Sequence, residues 1–169
     1  MMLPKIVLRA MEPEDLDFLY GMENNAEVWN VGNASVPYSR YVLHDYIANS
    51  SNDIYRDGQV RLIVENGEGK TIGMADVFDF NAQHRRAEVS VVICSAFRKK
   101  GYATVVLQRL AEYSLRTLHL HQLYAIVAEG NTASLALFAK SGFERSGVMK
   151  DWLFDGRKYS DVVMMCKIL

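Results

Sequence analysis

The chain has 169 residues, a formal net charge of -1, 50% hydrophobic residues and 23% charged residues. This composition is typical of one soluble globular domain, which we expect to span residues 1–169. A near-neutral chain has no broad basic surface, which argues against a nucleic-acid-binding protein. Cys94 and Cys166 suggest no disulfide framework and fit a reducing compartment. Because no signal peptide or membrane span is evident, we expect a cytoplasmic protein without a membrane partner.

The N-terminal half is predicted to contain two helices and four strands. Pro13 followed by two acidic residues is a typical helix opening, since proline suits the first helical position and carboxylates suit the positive end of the helix dipole. Gly67-Glu68-Gly69 between two apolar runs predicts a hairpin turn. The predicted segments are a strand over 6–8, a helix from 13 to 23, a polar loop over 24–38, a helix over 41–48, strands over 60–64 and 72–80, a polar turn over 81–86 and a strand over 87–93.

The C-terminal half is predicted to contain two helices and three strands. Asn131 suits the N-cap of the second helix, and Gly142 suits its C-terminal end. Asp155-Gly156 predicts a hairpin turn between the last two strands. The predicted segments are a helix over 101–118 with one apolar face, a strand over 123–128, a helix over 132–140, and strands over 148–154 and 159–168. This order of elements predicts a mixed α/β (α+β) fold with a largely antiparallel central sheet flanked by helices.

The basic turn Arg98-Lys99-Lys100-Gly101-Tyr102-Ala103 separates a predicted strand from the long predicted helix. The free N–H groups of a first helical turn and the positive end of the helix dipole favour a bound anion. Gly101 permits close approach of the backbone because it has no Cβ. The turn lacks the three spaced glycines of a dinucleotide fingerprint and the Gly-Lys-Ser/Thr of a P-loop. The sequence therefore predicts an anion site of another kind.

The same turn, in the form Arg-x-x-Gly-x-Ala, resembles the acetyl-CoA-binding motif of the GNAT family of N-acetyltransferases. Asn131-Thr132-Ala133-Ser134 and Ser141-Gly142-Phe143 resemble the second cofactor segment of that family. The order of elements is similar over nearly the whole chain. Within the family, the chain most resembles bacterial spermidine/diamine and ribosomal-protein N-acetyltransferases. That likeness is carried by Arg85-Arg86-Ala87-Glu88, Leu118-His119-Leu120-His121 and Phe154-Asp155-Gly156-Arg157.

The resemblance implies the GNAT fold and the transfer of an acetyl group from acetyl-CoA to a primary amine of a small molecule such as a polyamine or diamine. The alternatives are a protein N terminus as acceptor, as in the ribosomal-protein enzymes, or a catalytically weak acyl-CoA-binding module. Family likeness also favours a homodimer.

The resemblance further implies a set of cofactor-binding residues. The backbone of one strand would pair with the pantetheine arm, the basic turn would hold the pyrophosphate, and Asn131 would hydrogen-bond the pantetheine arm as well as capping a helix. The expected residues are Val91, Val92, Ile93, Arg98, Lys99, Lys100, Gly101, Tyr102, Ala103, Thr104, Asn131, Ser134 and Phe138.

Catalysis requires a base, because an alkylammonium has a pKa of about 10.4 and must lose a proton before it attacks. Glu88 is the candidate base, and an equal alternative is that it forms a structural pair with Arg85 or Arg86. Phe138 occupies the position at which the polyamine enzymes carry a tyrosine acid. The acid could be dispensable, or water or another hydroxyl could replace it; the candidate hydroxyls are Tyr102, Tyr124 and Ser134. We take Tyr102 as a tentative catalytic residue. The histidines lack the clustered partners of a metal site, and we expect none.

The acceptor is left open by the sequence. The loop that supplies glutamates in the spermidine enzymes reads Gly32-Asn33-Ala34-Ser35 here, without an acidic residue. Asp76 and Asp79 add negative charge to a central strand. The acidic residues near the N terminus are interpreted as a solvated helix face with favourable dipole contacts.

Overall fold

The computed structural model describes residues 3–25 and 36–169 and places seven strands of these segments in one sheet. The strands are β1 (Ile6–Ala10), β2 (Val60–Asn66), β3 (Thr71–Asn81), β4 (Arg86–Ile93), β5 (Gln122–Ala128), β6 (Glu144–Phe154) and β7 (Tyr159–Ile168). Their order across the sheet is β1-β2-β3-β4-β5-β7-β6. Neighbouring strands are antiparallel except for β4 and β5, which are parallel. The predicted mixed, largely antiparallel sheet is confirmed.

Helices cover both faces of the sheet. They are α1 (Leu16–Glu23), α2 (Arg40–Asn49), α3 (Ile54–Asp57), α4 (Tyr102–Arg116) and α5 (Thr132–Lys140), with short 3-10 turns at Pro13–Asp15 and Ser95–Phe97. Side-chain caps satisfy backbone donors at three helix starts in the described residues. Just before the first residue of α3 the cap is Asp53, which accepts from the N–H of Tyr55. Ser39 accepts from the N–H of Val42, and Asn131 accepts from the N–H of Ser134. No helix within residues 3–25 and 36–169 combines the length and the apolar character that crossing a bilayer requires.

The apolar core is divided by the sheet into two parts. On one face, α4 and α5 pack against alternate residues of the central strands, including Val89 and Leu123, which are essentially fully buried. On the other face, Leu19 and Leu43 from α1 and α2 pack against Ile63. We call this second side the α1/α2 face. Because side chains alternate along a strand, residues 86, 88, 90 and 92 of β4 lie on the α1/α2 face.

Most predicted elements are present, and their ends differ by a few residues. The long helix ends at Arg116 rather than at 118, and β6 begins at Glu144 rather than at 148. Nearly every residue of β6 is exposed, so its first residues carry no hydrophobic alternation from which a strand could be predicted. The short α3 and the turn at Ser95–Phe97 were not predicted. Residues 26–35, including the neutral stretch Gly32-Asn33-Ala34-Ser35, lie outside the described residues.

The feature of the sheet that positions the site is the short contact between β4 and β5. Their register contains three residue pairs, which end at Glu88 opposite Tyr124. Beyond that pair, β5 continues alongside β7 and β4 continues alongside β3. In the described part of the chain, no strand pairs with the β5-facing edge of β4 after Glu88. The two parallel strands therefore diverge and leave a cleft with open backbone edges.

Candidate active site

The first component of the site is the open edge of β4. Val91, Val92 and Ile93 pair with Ala75, Met74 and Gly73 of β3, so one side of their backbone is fixed within the sheet. The other side faces the cleft between β4 and β5. An extended ligand with amide groups can bind to such an edge as an additional strand. These are the residues for which the family resemblance implies contact with the pantetheine arm.

The second component is the N terminus of α4, which follows the end of β4. Gly101 is the N-cap residue and adopts a left-handed conformation with φ of 85°. Since glycine has no side chain to cap the helix, the N–H groups of Tyr102, Ala103 and Thr104 keep the orphan positions of a helix start. They are oriented to bind an anion, and the helix dipole adds to the attraction. The chemistry of this end of the cleft fits a pyrophosphate.

The basic side chains of the turn are partly engaged in holding it together. Arg98 Nε donates to the carbonyl oxygen of Ile93 at 2.9 Å, which fixes the turn to the end of β4. The Lys100 ammonium lies 5.4 Å from the centre of the Phe97 ring. The Lys70 ammonium, from the β2–β3 turn, lies 5.2 Å from the same ring centre. Sequence reasoning missed Lys70, because only the hairpin register brings it to the turn.

The residues that resemble the second cofactor segment lie at the start of α5 and at its end, where the helix faces the core. Asn131 Oδ1 accepts from the backbone N–H of Ser134 at 3.1 Å, which confirms the predicted N-cap. Phe138 is only 4% exposed. Its ring packs edge-on against Phe143, with centroids 5.0 Å apart. Phe138 is thus an apolar core side chain at the position at which the family likeness implies a tyrosine.

Glu88 occupies the point at which β4 and β5 diverge. Its Oε1 accepts from the backbone N–H of Ile126 at 3.3 Å. This side-chain hydrogen bond takes the place of the backbone hydrogen bond that β4 would make to β5 if their pairing continued. Arg85 is turned away from this position, because its Nε donates to the carbonyl of His119 at 2.6 Å. Burial and the nearby Asp79 raise the pKa of Glu88, while the hydrogen bond from Ile126 opposes the rise. A carboxyl group with a raised pKa is a better proton acceptor near neutral pH.

Asp79 and Tyr124 form a second contact at the divergence. The Tyr124 hydroxyl donates to Asp79 Oδ2. Burial is the main cause that raises the pKa of Tyr124, and the hydrogen bond to Asp79 adds to it. The phenol therefore stays protonated and its proton is directed to Asp79. Sequence reasoning noted both residues separately but had no signal for their contact, which depends on a bulge in β3.

A network of charged residues crosses the α1/α2 face next to the cleft. Arg61 contacts the carboxylate of Glu23 and donates from Nε to Asp76 Oδ1 at 2.7 Å. The hydroxyl of Ser90 donates to Asp76 Oδ2 at 3.2 Å, which extends the network to β4. These side chains are largely buried, so the sequence interpretation of a solvated acidic face does not describe Glu23.

The two tentative catalytic residues are not brought together. Tyr102 packs against Phe97 at the N terminus of α4, with ring centroids 6.1 Å apart. Glu88 lies five residues before the end of β4, a separation of about 16 Å along an extended strand. Tyr102 is therefore at the anion-binding end of the cleft and Glu88 is at the end where the strands meet. Within the described residues, no group of three or more His, Cys, Asp or Glu side chains is arranged to hold a metal ion.

An open strand edge, with a helix start suited to an anion at one end and a carboxyl group of raised pKa at the other, is the arrangement expected of an acyl-CoA-dependent transferase. The chain matches the family model described as "Acetyltransferase (GNAT) domain" over residues 5–144. The chain belongs to the GNAT family, and it is an acetyl-CoA-dependent N-acetyltransferase, as the sequence predicted.

Individual relatives agree with this assignment over most of the chain. The spermidine N(1)-acetyltransferase of Escherichia coli strain K12 is 30% identical over 95% of this chain and 84% of its own length. A crystal structure of spermidine N-acetyltransferase from Vibrio cholerae in complex with CoA and spermine superposes with a TM-score of 0.84 at 29% identity, covering 96% of this chain and 95% of the other. A dodecameric structure of the Vibrio cholerae enzyme in an intermediate state has a TM-score of 0.80 at 30% identity, covering 96% and 93%.

Proposed function

We propose that the chain acetylates a primary amine of a polyamine or diamine and that Glu88 is its general base. The observation that carries this proposal is the excess of carboxylates on the α1/α2 face where β4 and β5 diverge. Among the described residues, Glu23, Asp76, Asp79 and Glu88 lie there. The cations beside them are Arg61, which pairs with Glu23 and Asp76, and Arg86 at the edge. A cationic acceptor is attracted to such a face, because charges at partly desolvated positions interact strongly.

The donor would occupy the cleft from the α4 end to the Glu88 end. The N–H groups of Tyr102, Ala103 and Thr104 would hold the pyrophosphate, with charge from the neighbouring Arg98, Lys99 and Lys100. The backbone of Val91–Ile93 would bind the amides of the pantetheine arm. Asn131 Oδ1 is occupied as a helix cap, so its Nδ2 is the group that would donate to a pantetheine carbonyl. This arrangement brings the thioester towards Glu88, because the pantetheine arm runs along β4.

The proposed reaction needs one proton acceptor. Glu88 removes a proton from the bound ammonium, directly or through one water, and the neutral amine attacks the thioester carbonyl. The new C–N bond forms, the attacking nitrogen loses its second proton to solvent, the C–S bond breaks, and CoA leaves as a thiolate that takes a proton from solvent. The buried phenyl ring of Phe138 supplies no proton to this step. Loss of such help is expected to slow the reaction rather than abolish it.

The relatives support the polyamine class of acceptor. The Escherichia coli relative is named for spermidine, and the Vibrio cholerae structure contains CoA and spermine. The exposed apolar tip of the β6–β7 hairpin and the dodecameric neighbour also support a homo-oligomer, of which a homodimer is the smallest form. A cytoplasmic location stays a prediction.

The test is an acceptor panel with acetyl-CoA, read by the release of free CoA thiol. The acceptors are spermidine, spermine, a diamine, neutral amino acids and a peptide with a free N terminus. We expect turnover with polyamines, at a kcat/KM that falls with rising salt, since charge steering is screened. Turnover with the peptide alone would instead favour a protein N terminus as acceptor. Acetyl-CoA binding without turnover would favour a binding module, and absence of binding would contradict the proposal.

A further inference from the structure

The Asp79–Tyr124 hydrogen bond passes over β4 at the end of its contact with β5. Asp79 comes from β3 and Tyr124 from β5, which are the two neighbours of β4 in the sheet. Glu88 lies between them, since it is paired with Phe78 on one side and with Tyr124 on the other. The bond therefore joins β3 to β5 at the last rung before the cleft.

A local departure from regular strand geometry makes this contact available. The register of β3 shifts between Phe78 and Asn81, which marks a bulge. Within it, Asp79 has a φ of 47°, a left-handed conformation that non-glycine residues rarely adopt and that aspartate tolerates better than most. Bulges redirect a side chain relative to the alternation of the strand. Here the redirected carboxylate accepts the Tyr124 hydroxyl.

We propose that Asp79 and Tyr124 are positioning residues whose hydrogen bond across β4 fixes the Glu88 carboxyl group at the divergence of β4 and β5. This inference rests on the proposed role of Glu88 as the base. The bond fixes Tyr124 in β5 and thereby the start of the diverging segment that carries Ile126. The Ile126 N–H in turn holds Glu88 Oε1. Loss of the Tyr124 hydroxyl would leave the walls of the cleft in place, but the Glu88 carboxyl group would be less well positioned.

Electrostatics give the pair a second effect on the same carboxyl group. The negative charge of Asp79 disfavours ionisation of Glu88 and so raises its pKa, in addition to burial. The other titratable groups described on this face near Glu88 are Tyr124, which stays neutral, Arg86, two residues before Glu88, and the Arg61 network with Asp76 and Glu23. Removing the Asp79 charge is therefore expected to lower the pKa of Glu88.

The experiment compares Tyr124→Phe and Asp79→Asn with matched controls. Tyr113→Phe removes the hydroxyl of another half-buried tyrosine, on α4. Asp151→Asn changes another aspartate with a left-handed φ, at 51°, in the irregular part of β6. Each protein is measured for kcat and KM with acetyl-CoA and spermidine across pH, for thermal stability, for exchange of the Ile126 amide proton, and for titration of Glu88 by carboxyl carbon NMR.

Tyr124→Phe is expected to lower kcat about tenfold or more, since misplacement of a catalytic group is costly, with little change in the KM for acetyl-CoA. The Ile126 amide is expected to exchange faster. Asp79→Asn is expected to move the Glu88 titration, and the acid limb of kcat/KM, to lower pH. The controls are expected to behave as the parent protein.

Unchanged Ile126 exchange in Tyr124→Phe together with an unchanged Glu88 titration in Asp79→Asn would overturn the inference. Exchange and titration do not depend on turnover, so an inactive parent protein would contradict only the proposed function.

Discussion

Glu88 makes one structural contact and has one proposed catalytic task, and one substitution separates them. Its carboxyl group accepts a hydrogen bond from Ile126 and is the proposed base. Glu88→Gln keeps an amide oxygen that can accept the same bond, but it removes the proton acceptor. We expect kcat to fall by about 10²–10⁴-fold, with acetyl-CoA affinity almost unchanged.

The pH profile supplies an additional measurement for the same substitution. Because burial and Asp79 raise the pKa of Glu88, activity is expected to rise with pH through a limb above the usual range of glutamate. The limb should be absent in Glu88→Gln. Glu112→Gln, on the exposed face of α4, is the control and should retain both rate and limb. Parent-like kcat in Glu88→Gln would exclude Glu88 as the base.

Phe138 occupies the position at which the family resemblance implies a tyrosine that acts as an acid. A tyrosine there would place a hydroxyl on the cofactor helix and could protonate the leaving thiolate. We expect Phe138→Tyr to raise kcat, by no more than about 10²-fold, which is the low end for general acid catalysis. Leu135→Met on the same helix is the control for altered packing. An unchanged or lower kcat at intact thermal stability would show that the step does not need a hydroxyl at this position, because another group or water already supplies the proton.

At the scale of single elements, the start of α4 depends on the left-handed conformation of Gly101. A Cβ at this position would be strained at φ of 85° and would also lie 3.4 Å from Pro4. Gly101→Ala is expected to cost about 1–2 kcal/mol of stability and to weaken CoA binding at least tenfold, because the N–H groups of the first turn would move. Calorimetric titration with CoA measures the loss of affinity.

Gly58 is the matched control, because it has a φ of 70° at the end of α3 and open space around it. Gly58→Ala should lose stability in the same way but retain CoA affinity. Equal losses of affinity in both variants would show that the effect at Gly101 is only a general loss of stability.

The elements that could be predicted from sequence are those whose pattern is local. The α4 face was visible in the spacing of its apolar residues, and Asn131 was recognisable as a cap because the motif spans four residues. The basic turn was recognisable for the same reason. The β6 start was missed because an edge strand exposed on both faces has no apolar alternation.

The contacts that define the catalytic end of the cleft could not be predicted, because they join distant parts of the chain. Glu88 meets Ile126 only through the register of parallel strands, and Arg61 meets Glu23 only through the packing of α1 on the sheet. The bulge that turns Asp79 towards Tyr124 has no signal of its own in the sequence. Long-range register therefore determines the part of the site to which we assign the chemistry.

At the scale of the whole molecule, the tip of the β6–β7 hairpin exposes several large aromatic side chains. Trp152, Phe154 and Tyr159 are each about 60% exposed. Contiguous exposed aromatic side chains are typical of association surfaces. We expect Trp152→Ser with Phe154→Ser to reduce self-association, measured by analytical ultracentrifugation.

The control for association is Tyr41→Ser on α2, where an aromatic side chain is 80% exposed away from the hairpin. It should leave the sedimentation profile unchanged. An unchanged profile in the hairpin variant would exclude this tip as the contact between copies.

The short contact between β4 and β5, which contains three residue pairs, also affects how long the protein resists proteolysis. The strands β1 to β4 and the strands β5 to β7 form two half-sheets that are joined by this short contact. The bound donor would lie between β4 and β5 and contact both half-sheets. A ligand that binds only the folded form stabilises it by about 2.7 kcal/mol at a hundred times its Kd. When the donor is scarce, we expect β4 and β5 to separate more often and proteases to cleave the chain faster. The abundance of the enzyme would then follow the supply of its own acetyl donor.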